Sequence, residues 1–207
     1  MTQLLLGIAP APVPTLDNFA AGRNAAAVEA LRGFGTRRMT DRCIYLWGEA
    51  GCGCSHLLLA WAGLHHDGLH HLADDVESLD DDAQIALFKR FNRARAGDGW
   101  LLVAGRRPPA QLTLRDDLRS RLAWGLVFEI HPLTDDAKRA ALKAQAAARG
   151  MVFTDEMLGY LMSRVRRDMP SLTQLVEAID RHSLQTKRPV TLPLLRELLS
   201  QNQTLPL

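Results

Sequence analysis

The chain of 207 residues lacks any apolar run near the ~20 residues that a membrane-spanning helix needs. Its first residues lack the basic region, apolar core and cleavage site of a secretion signal, so we expect a cytoplasmic location and no membrane partner. Cysteine is scarce, and its three residues are an odd number without the spacing of a disulfide framework, which favours a reducing compartment. The formal net charge is only +2, which argues against a protein that holds DNA by charge alone.

Short apolar runs alternate with helical patterns as far as His131. Strands are predicted in RCIYLWG, LHHLADDV, GWLLVAG and GLVFEI, and one of the helices between them is predicted over residues 55–65. This alternation predicts an α/β fold, with a parallel sheet that carries helices on both faces. Beyond His131 only helical patterns remain, and Thr134, Thr154 and Pro170 mark helix starts.

These patterns predict three parts of the chain. Residues 1–14 hold alternating prolines and are expected to form an extended tail. Residues 15–131 are expected to form the α/β base, and residues 132–207 a small all-helical lid. We find no internal repeat.

A glycine-rich segment follows the first predicted strand and opens a helix. The sequence GEAGCGCS fits the phosphate-loop pattern G-x-x-x-x-G-x-[ST], except that Cys54 stands where lysine is expected. Backbone N–H groups and the helix N-terminus would bind phosphate oxygens, and the Ser55 hydroxyl would reach magnesium. The predicted nucleotide-binding residues of this loop are Gly48, Gly51, Cys52, Gly53, Cys54 and Ser55.

The same segment permits other interpretations. A glycine-rich turn between strand and helix needs no ligand. A thiol at a helix N-terminus can have a lowered pKa and act as a nucleophile. CGCSH together with nearby histidines resembles part of a metal site, although no second cysteine pair completes it, and we predict no metal site of the protein's own.

Two further candidates lie downstream. Asp74 and Asp75 end the second predicted strand, where such acids hold magnesium and orient an attacking water. A helix cap or a solvated loop is the alternative. Arg121, in LRSRLAWG, precedes the last strand, where an arginine can reach a neighbouring subunit's γ-phosphate. A plain surface arginine is the alternative there.

The order of these segments resembles the AAA+ domain of the bacterial replication initiator DnaA. The matching stretches include TLDNFAAGRNAAAVEAL, LWGEAGCGCSHLLLA, LADDVESL, GRRPPAQL, DLRSRLAWG and RPVTLPLLRELL. The chain is still more similar to the Hda family, the DnaA-related regulatory inactivators. The matching stretches end with the lid, so we expect no DNA-binding domain of the DnaA type.

The resemblance implies a function. Members of this family bind the replication sliding clamp (the β subunit of DNA polymerase III) and stimulate hydrolysis of DnaA-bound ATP. Gln3, Leu4 and Leu6 of QLLLGI are similar to the clamp-binding peptide, and Arg121 matches the arginine finger that acts in trans. ADP is the implied nucleotide, with Mg²⁺ through Ser55 and Asp74 when it binds. DNA would be reached only through the clamp, and a homo-oligomer is possible.

The chain departs from the family pattern at four places. Cys54 replaces Lys or Arg, Arg106 stands where Asp is common, and Pro170 stands where the lid arginine is expected. Only eighteen residues separate Ser55 from Asp74, so one edge strand and its helix are missing and the Asp74 strand becomes the sheet edge. Cys54 and Pro170 weaken the expected contacts with ADP and Mg²⁺.

Three functions remain open from the sequence. The first is the clamp-bound regulator of DnaA, with a loop that holds ADP or nothing. The second is an adaptor that binds the clamp or DnaA without any nucleotide. The third, an independent AAA+ ATPase, is disfavoured because a catalytic cycle needs more γ-phosphate contacts than static ADP binding does.

Overall fold

The computed structural model describes residues 13–36, 39–65, 68–165 and 168–201. The described chain divides into two compact units, residues 13–133 and residues 134–201. We call them the base and the lid and describe each by itself.

The base contains a four-stranded, all-parallel sheet. Its strands are β1 (Cys43–Trp47), β2 (His70–Ala73), β3 (Trp100–Gly105) and β4 (Leu126–Glu129). Their order across the sheet is β2-β3-β1-β4, so β2 lies at one edge. This order confirms the α/β prediction and the prediction that the strand before Asp74 becomes an edge.

Helices cover both faces of this sheet. They are α1 (Ala25–Gly33), α2 (Cys54–Ala62), α3 (Asp81–Arg95) and α4 (Asp116–Leu122), with short 3₁₀ turns at Gly22–Asn24, Val76–Ser78 and Pro109–Gln111. Successive strand residues point to opposite faces. Accordingly Ile44 and Leu46 pack in one core with α1 and α2, whereas Cys43 and Tyr45 pack in a second core with α3 and α4.

Helix α2 is shorter than predicted. It begins at Cys54 and ends at Ala62, with Gly63 as the C-cap, so the predicted helix over residues 55–65 was too long at its end. His65 instead stacks on His70 of β2, with ring centres 4.2 Å apart. The buried face of α2 is formed by Leu57, Leu58 and Trp61.

The lid consists of four helices around its own apolar core. They are α5 (Asp135–Ala148), α6 (Asp155–Arg164), α7 (Met169–Thr186) and α8 (Leu192–Gln201). The hydroxyls of Thr134 and Thr154 each accept a hydrogen bond from the backbone N–H three residues further along, which confirms both predicted caps. Pro170 lies in the first turn of α7 as predicted, and the cap of that helix is Asp168.

Within the described ranges, no helix combines the length and the apolar character that crossing a membrane would require.

Candidate functional site

The phosphate-loop pattern forms a tight turn between β1 and α2. Gly51 and Gly53 have φ angles of 83° and 109°, which a residue with a side chain adopts only with strain. Gly48 is needed for a different reason, because a Cβ there would lie 2.2 Å from the carbonyl oxygen of Ile130. The loop therefore has the turned backbone that a phosphate requires, and Ser55 is exposed at the first turn of α2.

The two loop cysteines face each other below this turn. Cys52 and Cys54 are both buried, and their sulfur atoms lie 3.4 Å apart. A hydrogen bond from the Cys54 thiol lowers the pKa of Cys52, and the same bond together with burial raises the pKa of Cys54. Cys54 thus adds an apolar, neutral group to the core where a lysine would add a cation for the phosphates.

This pairing predicts an unusual reactivity of Cys52. We expect the rate at which a small thiol reagent modifies Cys52 to rise with pH. The midpoint of this rise should lie at a lower pH than for an ordinary cysteine, because Cys54 stabilises the thiolate. In Cys54→Ala the midpoint should move upward by at least ~1 pH unit. Peptide mapping by mass spectrometry measures each site. Cys43, whose pKa burial raises to about 12, is the internal control and should stay unmodified. An unchanged Cys52 midpoint in Cys54→Ala would contradict this account.

The predicted acids lie at the same carboxyl-terminal end of the sheet as the loop. Asp74 and Asp75 directly follow β2, and the charge of Asp74 contributes to the raised pKa of Cys54. Asp75 adopts a left-handed backbone (φ 47°), and its Oδ1 lies 3.3 Å from Nε of Arg106. An acid that would orient water in an ATPase is therefore paired with an arginine here.

A partly buried glutamate, not identified from the sequence, fixes the segment after β3. Oε1 of Glu77 accepts hydrogen bonds from the backbone N–H groups of Arg106 (2.7 Å) and Arg107 (3.2 Å). The Tyr45 hydroxyl donates to the Arg107 carbonyl at 2.7 Å. Gly105 has no room for a Cβ, which would lie 2.3 Å from that hydroxyl. Nothing in the local pattern around Glu77 predicts this contact, since it joins segments about thirty residues apart.

An open cavity of about 320 Å³ lies beside this segment. Its lining is polar and includes the two arginines together with Glu77, Gln111 and Thr113. Arg106 and Arg107 are both exposed. The carboxyl-terminal end of the sheet therefore combines a turned glycine loop, two aspartates and an arginine.

Arg121 lies at the opposite, amino-terminal end of the sheet. It is in the last turn of α4, close to Gly125, where a Cβ would be 2.5 Å from the carbonyl oxygen of Cys43, the first residue of β1. The phosphate loop follows the last residue of β1, about 13 Å further along this strand. Arg121 therefore cannot serve the phosphate loop of its own chain.

The Arg121 side chain rests on α3. Nε lies 3.2 Å from Oδ1 of Asn92, and the guanidinium carbon is 4.4 Å from the ring centre of Phe88. Trp124 is close in sequence and 63% exposed, and Arg95 stacks on its ring. An exposed tryptophan beside arginines is typical of protein–protein contacts, and the composition alone did not single out Trp124.

The structure does not test the predicted clamp-binding peptide. Gln3, Leu4 and Leu6 lie outside the described residues.

Comparisons with known proteins identify the family. The family model described as the Hda lid domain matches residues 135–199. Domain III of the replication initiation protein DnaA from Thermotoga maritima is similar in fold, with a TM-score of 0.72 and 19% identity over 94% of this chain and 98% of that one. An uncharacterized protein from Haemophilus influenzae is 30% identical and matches 96% of this chain and 98% of its own length. The chain belongs to the DnaA-related, Hda-like family.

A further solved structure agrees with the fold of this Hda-like protein. AMPPCP-bound DnaA from Aquifex aeolicus has a TM-score of 0.64 and 21% identity over 86% of this chain and 66% of that one. The chain thus has the fold of the DnaA AAA+ domain, and its lid matches the Hda lid model.

The residues of the loop fit a nucleoside diphosphate in part. The turned backbone at Gly51 and Gly53, the start of α2 and the exposed Ser55 match what a diphosphate and its magnesium ion need. The loop itself supplies no cation, because Cys54 is buried and neutral. A binding role for this loop therefore requires positive charge from another segment.

Proposed function

We propose that this protein regulates replication initiation by presenting Arg121 to ATP bound on DnaA, so that the ATP is hydrolysed there. The observation that carries the proposal is the position of Arg121 at the end of the sheet opposite to its own phosphate loop. A guanidinium placed there can act only on a nucleotide that another protein holds. Family membership makes DnaA the natural partner.

The surface around Arg121 supports a protein contact. Trp124 is highly exposed. The guanidinium carbon of Arg95 lies 5.0 Å from the centre of its ring, and the ring centre of Phe91 lies 6.3 Å away. A rigidly held aromatic side chain loses little conformational freedom on binding, which makes it a suitable anchor. The guanidinium of Arg95 adds positive charge that favours approach to a triphosphate.

We further propose that the N-terminal tail joins the protein to the sliding clamp. The support is the sequence QLLLGI at the start of a proline-rich stretch, in which Leu4 and Leu6 would enter a groove and Gln3 would bind at its edge. Bound to the clamp, the protein would reach DNA and meet DnaA only where clamps are present.

The tail proposal leads to a direct prediction. Replacing Gln3, Leu4 and Leu6 together by alanine should weaken binding to the purified clamp by more than ~10-fold, because both apolar anchors are lost. Surface plasmon resonance on immobilised clamp measures the change. The matched control replaces Leu205 and Leu207 of the C-terminal TLPL, and it should bind like the parent. If the tail variant bound as tightly as the control, the peptide would not be the clamp contact.

An adaptor that works without nucleotide is the second candidate. The burial and neutrality of Cys54 favour it, since the loop then serves only to connect β1 with α2. An independent ATPase has less support, because Cys54 is buried and neutral and so supplies no cation for a γ-phosphate. Titration of the purified protein with ADP tests the nucleotide-dependent form of the regulator, and no binding at millimolar ADP would exclude that form.

The regulatory function is tested by reconstitution. ATP-loaded DnaA is incubated with clamp on DNA, and release of phosphate is followed with and without the purified protein. We expect hydrolysis to accelerate only when protein and clamp are both present. Equal hydrolysis rates with and without the protein would exclude this function.

A further inference from the structure

The eight residues of the phosphate loop contain no basic side chain. From Gly48 to Ser55 the only charged residue is Glu49, and Cys54 faces Cys52 in the core. A bound diphosphate carries about two to three negative charges, which helix dipole and amides neutralise only in part. If the loop holds ADP, which is the nucleotide-dependent form of the proposed function, a cation must come from an adjoining segment.

The adjoining segment is the end of β3. Strands β1 and β3 are neighbours in register, with Trp47 opposite Gly105, and the amide of Gly48 donates to the Gly105 carbonyl at 3.3 Å. Parallel strands lie about 4.8 Å apart. Arg106 is thus the first residue after the point where β3 contacts the loop. An arginine side chain is long enough to reach from there to phosphates bound at the loop.

The backbone at Arg106 is held in place, whereas its side chain lies in solvent. The carboxylate of Glu77 accepts from the N–H groups of Arg106 and Arg107, and Tyr45 donates to the Arg107 carbonyl. The Arg106 side chain itself is 66% exposed and forms an ion pair with Asp75, which is 46% exposed. An exposed pair of this kind is weak and exchanges readily for a better anion.

We propose that Arg106 is the phosphate-binding cation of this site and replaces the lysine that the loop lacks. Without ligand, Arg106 pairs with Asp75 at the carboxyl-terminal end of the sheet. With a nucleoside diphosphate bound, the guanidinium turns from Asp75 to the phosphate oxygens, where it can donate two hydrogen bonds. The two departures from the family pattern, Cys54 and Arg106, then compensate each other: the positive charge lost from the loop is supplied by the end of the neighbouring strand.

The proposal is tested by equilibrium binding of ADP to purified variants, with isothermal calorimetry as the readout. Arg106→Ala should weaken ADP binding by about 10- to 100-fold, the usual effect of losing a charge-assisted contact. Cys54→Lys in that background should restore binding to within ~5-fold of the parent. As a control, Arg93→Ala removes an arginine of α3 from its exposed pair with Asp98 and should bind ADP like the parent.

A substitution at Asp75 should change ADP affinity in the opposite direction. Measured without Mg²⁺, so that no metal contact is involved, Asp75→Asn releases Arg106 and should tighten ADP binding by about two- to fivefold, whereas the same change in Arg106→Ala should leave the affinity as it is in Arg106→Ala. Arg106→Gln serves as a second variant, and melting curves verify that each protein is folded.

The outcomes separate the two proposals. ADP affinity unchanged in both Arg106 variants would overturn the role of Arg106, and so would a parent protein that binds no ADP at millimolar concentration. Stimulation of DnaA is measured in parallel. Its absence from the parent, with ADP binding intact, would reject the regulatory function and leave the assignment of Arg106 standing.

Discussion

Arg121→Ala is expected to abolish the stimulation of ATP hydrolysis on DnaA. An arginine that acts in trans on a γ-phosphate accelerates hydrolysis by about 10³- to 10⁵-fold, because it stabilises charge that develops in the transition state. We therefore expect the rate with Arg121→Ala to fall to the intrinsic rate of DnaA. Phosphate release in the reconstituted reaction with clamp and DNA is the measurement.

Two matched variants sharpen this experiment. Arg119→Ala removes an arginine from the same helix, where it forms an exposed pair with Asp116, and should stimulate like the parent. Arg121→Lys keeps the charge but lacks the planar fork, so it should recover only a small part of the rate. Full stimulation by Arg121→Ala, with normal folding, would reject the finger role.

The contacts of the Arg121 side chain in the free protein must be broken before it can reach a partner's nucleotide, and this requires free energy. The guanidinium lies over Phe88 and donates to Asn92 and to the Asp117 carbonyl. A cation–π contact at an exposed site is worth about 0.5–1 kcal/mol and a hydrogen bond about as much. A partner must therefore offset about 2 kcal/mol to withdraw the side chain, which a triphosphate supplies through charge-assisted bonds.

The second large effect is expected at Gly48. In Gly48→Ala the new methyl group would meet the Ile130 carbonyl oxygen at 2.2 Å and Cys52 Sγ at 2.8 Å, so β1 and β4 must separate at their carboxyl ends. The bond from Ile130 N–H to the Trp47 carbonyl, 2.6 Å long, lies at that point. We expect the free energy of unfolding to fall by about 3 kcal/mol and Tm by about 10 °C.

Gly33→Ala is the control for this experiment. Gly33 ends α1, has no heavy atom within 4 Å of the place that a Cβ would take, and does not adopt a positive φ. Alanine there should change stability by less than ~1 kcal/mol, and in the stabilising direction. Urea unfolding followed by circular dichroism compares the two variants. Equal stability of the two would show that the β1–β4 contact tolerates a side chain.

The Gly48 result also bears on the phosphate-loop pattern. Steric contact with Ile130 and Cys52 is enough to require glycine at this position, whether or not a phosphate ever binds. By contrast, Gly51 has no atom near its missing Cβ and is required by its φ angle alone. Gly48 is therefore required by the packing of the strands, and Gly51 by the positive φ angle of the turn.

Local sequence signals were sufficient for most of the fold. The caps at Thr134 and Thr154 could be predicted because a hydroxyl before a helical pattern satisfies the first free N–H groups. The end of α2 could not be placed, because the apolar pattern continues through Leu64 while the helix ends at Ala62. The identity of the edge strand followed from the short segment between Ser55 and Asp74.

Sequence reasoning was less informative for the site, since its contacts join distant segments. The pattern placed Cys54 at the lysine position but could not show that its side chain turns inward to Cys52. Arg106 was noticed only as a departure, and its pair with Asp75 depends on the neighbouring ends of β2 and β3. The roles proposed for Arg121 and Arg106 both rest on which end of a strand each one occupies.

The edge position of β2 has a consequence for how such domains can diversify. Because β2 pairs only with β3 within the described sheet, the segment between α2 and β2 can lengthen or shorten without changing the register of β3, β1 and β4. A strand–helix unit can be grafted or removed there while the phosphate loop and Arg121 keep their places. We therefore expect this junction to accept an inserted reporter or affinity module in a functional chain.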